Sequence, residues 1–228
     1  KWNYSISIDI LGRIIEVVSG QKLDDFLKEN IFKPLNMIDT DFYVPEDKHH
    51  RFVDCYQELV SKTGNKLKRC YKGGEDIFSK KRNFLSGGGG LCSTLADYAN
   101  FCQMILNEGY FDGKQLLSPI TVRFMRENHL PNNQTMSEMG DDNFSEVRYD
   151  GAGFGLGFSS LIDSIKSMSP MSTGSISWGG MASTFFWIDP KENLFSILLT
   201  QLIPSGRYPI RPQAQTLVYS AISELKKY

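Results

Sequence analysis

The residues whose type and spacing could do chemistry are few. Tyr4 stands just ahead of an apolar, helix-periodic run in "KWNYSISIDILGR". A phenol can pass a proton, and the N-terminal end of a helix carries partial positive charge that favours an anion. The same residue, beside Trp2, also reads as an aromatic anchor for the first helical turn. Trp178-Gly179-Gly180, followed by Met181, reads locally as a bulged strand with a buried tryptophan. His49-His50 lies in the charged stretch "PEDKHHR" and reads as a solvated loop rather than a metal site. The cysteines at 55, 70, 92 and 102 form no CxxC pair, and only three histidines accompany them, so zinc-type spacing is absent. Cys92 and Cys102 sit in apolar surroundings and read as buried thiols. The glycine run 87–90 has neither the lysine of a phosphate-binding loop nor a strand before it. These glycines are expected to allow a tight backbone path into the helix that follows.

Composition narrows the classes further. Net charge is −1 with both signs dispersed over 228 residues, which gives no electrostatic reason to expect a nucleic-acid partner. Hydrophobic content of 41% and charged content of 22% suit an ordinary globular domain. No apolar run approaches the roughly 18–20 residues that a membrane span needs. No cofactor motif and no metal motif is present.

The elements that must position these residues change character along the chain. Ile8, Leu11, Ile15 and Val18, flanked by Ile10, Ile14 and Val17, form one helical face, with Arg13 and Glu16 opposite and Gly20 as the C-terminal stop. A second helix is expected in "KLDDFLKENIFKPL", ending near Pro34. "GNKLKRCY" is read as a short strand or hairpin. A third helix is expected after Ser93 or Thr94, with Asp97 in its first turn and Gly109 at its end. A fourth carries Pro119 early, and residues 131–150 read as a long exposed loop. After 150 come strand-like runs, "GFGLGFSSLI", "GSISWGG", "STFFWIDP" and "LFSILLTQLI", with "DPKEN" as a hairpin turn. A terminal amphipathic helix, with Leu217, Ala221, Ile222 and Leu225 on its apolar face, closes the chain. Residues 1–150 are thus expected to form a mainly helical lobe and 151–228 antiparallel strands with a covering helix, an α+β fold.

Four blocks in order carry a family resemblance: "YSISIDILGRIIEVVSGQKLDDFLKENIFKPLNMIDT", "GGGGLCSTLADYANFCQMIL", "GFGLGF" and "WGGMASTFFWIDPKENLFSILLTQ". Together they resemble the serine β-lactamase and penicillin-binding-protein-like hydrolases, nearest the class C-type esterases and β-lactamase-related proteins. The resemblance implies a β-lactamase/transpeptidase-like fold with its active site between a sheet lobe and a helical lobe. It also implies acyl transfer by a serine with a lysine partner in S-x-x-K, a proton-transferring tyrosine, and an edge strand that donates a backbone N–H to the oxyanion. On this resemblance Tyr4 takes the tyrosine role, Trp178, Gly179, Gly180 and Met181 form the oxyanion and substrate-binding segment, and the partner implied is a small-molecule or peptide substrate. Two departures point away from lactams and towards neutral esters or amides. Ile6 stands where β-lactamases carry an asparagine, and Trp178 where K-T-G carries a lysine.

The nucleophile is not found where the resemblance requires it. Ser19 with Lys22, and Ser223 with Lys226, have the S-x-x-K spacing, and Lys62-Thr63-Gly64 reproduces K-T-G. All three are read as chance matches, because each falls in the wrong part of the family's order. The expectation is a C-terminal portion of a catalytic domain, inactive alone, whose serine and lysine lie upstream and whose uncovered surfaces favour self-association. The alternatives are a non-catalytic β-lactamase-like binding or scaffolding protein and, more weakly, a true β-lactamase.

Overall fold

The computed structural model describes residues 1–59, 64, 66–73, 78–140 and 149–226. The 3.6-residue apolar period of the first block winds into α1 (Ser7–Ser19), which Gly20 ends in the left-handed conformation with its N–H on the Glu16 carbonyl. The polar face of α1 shapes the next turn. Arg13 pairs with Glu16 at 2.8 Å, and Glu16 accepts from the Leu23 N–H at 3.1 Å. There α2 (Leu23–Leu27) begins and runs into a π-helical turn, Lys28–Phe32, before the chain leaves the helix near Pro34.

The third and fourth helices have side-chain caps. Thr94 caps α3 (Leu95–Leu106), its hydroxyl accepting from the Asp97 N–H at 3.3 Å. Ser118 caps α4 (Pro119–Arg126), whose first residue is the expected proline. Gly109, at φ +91°, closes the α3 segment, and a Cβ there would meet the Leu117 carbonyl oxygen at 2.1 Å.

Within "GNKLKRCY", Lys66–Tyr71 form β2, paired antiparallel with β1 (Cys55–Leu59). β3 (Tyr110–Phe111) and β4 (Lys114–Gln115) form a second small hairpin. The region 131–150 is not all exposed loop. Thr135 caps a short helix, α5 (Met136–Met139), in a capping box with Glu138, and Thr135 and Met136 are buried.

The main sheet is an antiparallel meander in the order β5 (Ala152–Phe154), β6 (Ser159–Leu161), β7 (Ile176–Gly179), β8 (Phe185–Asp189), β9 (Leu194–Leu198). "GFGLGFSSLI" is therefore not one strand. Its glycines turn the chain between β5 and β6, with Gly157 at φ +97° and the Gly155 N–H on the Phe158 carbonyl. "LFSILLTQLI" also divides. β10 (Leu202–Ile203) leaves the main sheet and pairs in parallel with β1.

"DPKEN" makes the expected turn between β8 and β9. The Asp189 carboxylate accepts from the Lys191 and Glu192 N–H groups at 3.0 and 3.1 Å. Burial alone would raise the Asp189 pKa, but the Tyr219 hydroxyl and the Ser172 and Glu192 N–H groups bond the charged form and leave it below the usual carboxylate value.

β8 reads as an unbroken apolar run because both its faces are covered. Phe186 and Ile188 pack with Ile176, Cys102 and Ile105 on the α3 side. Trp187, with Phe185, packs against Ala214, Val218 and Tyr219 of the last helix, α6 (Ile210–Ser220). The sequence expectation for that helix needs correction. It stops at Ser220, so Ile222 and Leu225 lie beyond it, and Leu217 and Leu225 are exposed. The buried face is set instead by Ala214, Gln215, Val218 and Tyr219, because those positions face Trp187.

Helices and antiparallel sheets together make the α+β fold expected from the sequence. Among the described residues no helix is long and apolar enough to cross a membrane.

Candidate active site

Successive residues of a strand point to opposite faces. Trp178 faces the helical side with Phe186, its cross-strand partner, while Gly179 faces α6. Around Trp178 the structure gathers aromatic rings from distant parts of the chain. Tyr149 stacks on it at 5.5 Å with an interplanar angle of 5°, and Phe154 meets it edge-on at 5.4 Å. The Tyr4 ring lies 6.1 Å from it, tilted by 35°. Trp2 closes the group, 6.2 Å from Tyr149 and 5.7 Å from Phe154. Such ring pairs contribute about 0.5–1.5 kcal/mol each beyond the area they bury.

The first residues of the chain are held by more than ring contacts. The Trp2 N–H donates to the Met139 carbonyl at 3.0 Å, which ties the segment ahead of α1 to the end of α5. Tyr4 is thereby carried beside the end of β7, and the residue is 51% exposed. Of the two local readings of Tyr4, an anchor beside Trp2 or a group presented elsewhere, the ring meets Trp178.

The glycine run 87–90 reaches the same helix. A Cβ on Gly87 would come 2.6 Å from the Ile8 carbonyl oxygen, and one on Gly90 would come 2.8 Å from the Phe42 ring. Ser86 donates to the Asp9 carboxylate at 2.5 Å. Gly87 and Gly88 thus serve the close approach of a loop to the first turns of α1, a role the sequence expectation of a path into the following helix did not include.

The loop after Trp178 is narrow and tied on several sides. The Gly180 N–H donates to the Thr184 carbonyl at 3.0 Å, and a Cβ on Gly180 would meet the Thr184 hydroxyl at 2.4 Å. The Ala182 carbonyl accepts from the Leu202 N–H at 3.0 Å and from the Thr200 hydroxyl at 3.2 Å. Ser183, at φ +67°, returns a hydrogen bond to the Leu202 carbonyl at 2.7 Å. On the other edge of β7 the pairing with β6 ends at Ser177. The Met181 N–H has no acceptor among the described residues. A glycine-rich strand end with an unpaired edge and an uncommitted N–H can receive an extended substrate and donate to an oxyanion.

The other candidate groups lie elsewhere. Ser19 is at the far end of α1 from Tyr4, about 20 Å along a 13-residue helix, and its hydroxyl accepts from the Gln21 N–H. Lys22 stands at the start of α2. Ser223 and Lys226 follow α6 and are not on it, and the Lys226 N–H bonds Glu192. Lys62 and Thr63 lie outside the described residues. His49 and His50 sit in a short 3₁₀ helix, each ring against a backbone carbonyl. Among the described residues no cluster of metal-ligating side chains is found, and no disulfide links the cysteines. Cys102 is fully buried, and burial pushes its thiol up to about 12, far from the thiolate a nucleophile needs. Cys92, expected to be buried, is only half-buried.

Sequence reasoning missed Tyr149 and Phe154 as walls of this site. Tyr149 stands in no motif, Phe154 lies in the "GFGLGF" block without a role assigned to it, and only the fold brings them to Trp178.

A sheet backed by α6, faced by helices and ending in this glycine strand is the architecture of the serine β-lactamase, penicillin-binding-protein and esterase group. The family model for Beta-lactamase matches residues 1–219, and the chain belongs to that family. It is 33% identical over 204 residues to Protein Rv1367c of Mycobacterium tuberculosis, covering 88% of this chain and 49% of that protein. It is 28% identical over 218 residues to the lovastatin esterase of Penicillium rubens, covering 89% and 51%. Among solved structures, unliganded simvastatin synthase from Aspergillus terreus superposes with a TM-score of 0.78 at 22% identity, over 98% of this chain and 56% of that one. Curated relatives thus include esterases, and acyltransferases are also among them. The chain spans about half the length of the curated relatives it matches.

Proposed function

We propose that this chain supplies the proton-transfer tyrosine and the oxyanion strand of a Ser-Lys-Tyr acyl-transfer site, and that the serine and its lysine lie on a segment upstream of Lys1. The observation that carries the reading is the meeting of Tyr4 with Trp178, at 6.1 Å, across 174 positions of the chain. In this reading the serine hydroxyl gives its proton to the lysine–Tyr4 pair as its oxygen attacks an acyl carbonyl, and the Met181 N–H donates to the carbonyl oxygen as it gains charge. Tyr4 passes a proton to the leaving group, and water or an acceptor alcohol then releases the acyl group. Trp178, Gly179 and Gly180 hold the substrate along the open edge of β7.

The substrates are ester, amide or peptide compounds, with neutral esters favoured. The walls beside Tyr4 are aromatic rings, Trp2, Tyr149, Phe154 and Trp178, which suit an apolar acyl or alcohol group. Ile6 and Trp178 replace the amide and the cation that a lactam acid would require, which also separates this site from a true β-lactamase. The esterases and acyltransferases among the relatives support the same choice.

Fluorophosphonate labelling tests the reading. The full-length gene product is expected to be labelled on a serine outside residues 1–228, and the isolated chain is expected to remain unlabelled and without ester turnover. Label on Ser19 of this chain, or turnover abolished by Ser19→Ala, would refute it.

A further inference from the structure

The N–H of Met181 and the carbonyl of Gly180 belong to one planar peptide, so they point in opposite directions. Whatever holds that carbonyl therefore aims that N–H. Two groups hold it: the Ser183 N–H at 3.0 Å, within the loop itself, and Arg211 Nη2 at 2.9 Å, from the first turn of α6. The same Nη2 also donates to the Thr184 carbonyl at 3.0 Å, so one guanidinium nitrogen bridges both ends of the turn that carries Met181.

The guanidinium is itself seated from two sides. It lies 5.4 Å from the centroid of the Phe185 ring, within cation–π range. It also fills the space above Gly179, where a Cβ would come 2.7 Å from Nη2 and 2.8 Å from Cζ. A side chain at the second residue of the W-G-G run would displace this guanidinium. Held this way, the Gly180 carbonyl points towards Arg211 and β8. The Met181 N–H points to the opposite edge, which β6 leaves unpaired beyond Ser177.

We infer that Arg211 is a positioning residue for acyl transfer: it fixes the Gly180–Met181 peptide so that the Met181 N–H faces the developing oxyanion, and Gly179 is the vacancy that admits it. This inference rests on the function proposed above. It touches neither substrate nor reacting atoms, so it predicts an effect on the chemical step and not on substrate binding. A misplacement of about 1 Å in such a site can cost about 100-fold in rate.

The test has two arms. In this chain, selectively ¹⁵N-labelled at its eight methionines, Arg211→Met is expected to shift the Met181 amide resonance while methionines remote from the loop stay in place. In the full-length gene product, Arg211→Met is expected to lower kcat for p-nitrophenyl butyrate by about 10- to 100-fold with KM within about twofold, and Arg211→Lys to recover part of the loss. An unmoved Met181 resonance overturns the inference whether or not the enzyme is active. So does an Arg211→Met kcat within about twofold of the unaltered protein, or a loss carried by KM. A moved resonance in a protein whose unaltered form has no ester turnover supports the positioning and counts against the proposed function instead. Should Arg211→Met fail to fold, the same two readouts are taken on Arg211→Lys, with a smaller resonance shift and a smaller kcat loss expected.

Discussion

α1 and α3 are both amphipathic by sequence, yet they meet opposite fates in the structure. α3 buries Cys102, Met104 and Ile105 against the sheet, and its N-terminus is capped by Thr94. Its Asp97 is also buried, and accepts from the Asp39 N–H at 2.7 Å and the Thr40 hydroxyl at 2.8 Å. α1 buries only Gly12 and has no side-chain cap, while Ile10, Ile14, Val17 and Val18 remain 51–82% exposed. A hydrophobic period therefore identifies a helix and its apolar face, but not what covers that face. α3 is part of the frame. α1 is held at one end by the glycine run and presents Tyr4 just ahead of its own start.

If that contrast is right, substitutions on the two helices should differ by several-fold in cost. Ile105→Ala, which empties a fully buried position, should lower unfolding free energy by about 3 kcal/mol in urea denaturation. Asp97→Asn breaks a buried carboxylate network and should cost about 2 kcal/mol in the same measurement. Thr94→Ala removes the cap and should cost about 1 kcal/mol. Ile14→Ala on α1 should cost about 0.5 kcal/mol or less. Equal costs for Ile14→Ala and Ile105→Ala would break the comparison. The exposed face should also make the isolated chain self-associate, and Val17→Glu should reduce that association in sedimentation velocity.

α6 sharpens the contrast through pH. The Tyr219 hydroxyl bonds the buried Asp189 carboxylate at 2.6 Å and helps to hold its pKa below the ordinary value. A carboxylate with a depressed folded pKa contributes stability above the unfolded value of about 4, and that stability is lost as pH falls through the folded value. Tyr219→Phe removes one of the bonds, so acid unfolding should begin at a higher pH than in the unaltered chain. Unchanged acid unfolding would show that the remaining N–H donors hold Asp189 by themselves.

What could be read from sequence was whatever neighbouring residues decide among themselves. The Gly20 stop, the Thr94 cap with Asp97 behind it, and the Asp189 turn each involve groups within four positions of one another. The hairpin inside "GFGLGFSSLI" was hidden because its glycines look like punctuation within one strand, and only the pairing of Ala152 with Leu161 separates two. The apolar face of α6 was misplaced because Ile222 and Leu225 continue the helical period past the point where the helix ends. Within the candidate site, Tyr4 and the W-G-G run were singled out through the order of the family's blocks, and the structure brings Tyr4 and Trp178 together. Tyr149 and Arg211 were not, since their importance depends on partners that the fold alone brings near. Arg211 reaches a carbonyl 31 positions away, and an arginine in a first helical turn otherwise reads as solvated.

The central claim is that Tyr4, set beside Trp178, transfers the proton in acyl transfer. Tyr4→Phe keeps the ring and removes only the hydroxyl, so packing on Trp178 and the melting temperature should be preserved. Steady-state hydrolysis of p-nitrophenyl butyrate by the full-length gene product measures the claim directly. With Tyr4 as the proton-transfer group, kcat should fall by about 100-fold or more, in the range that positioned acid–base groups contribute. A Tyr4→Phe enzyme with kcat equal to that of the unaltered protein would contradict it.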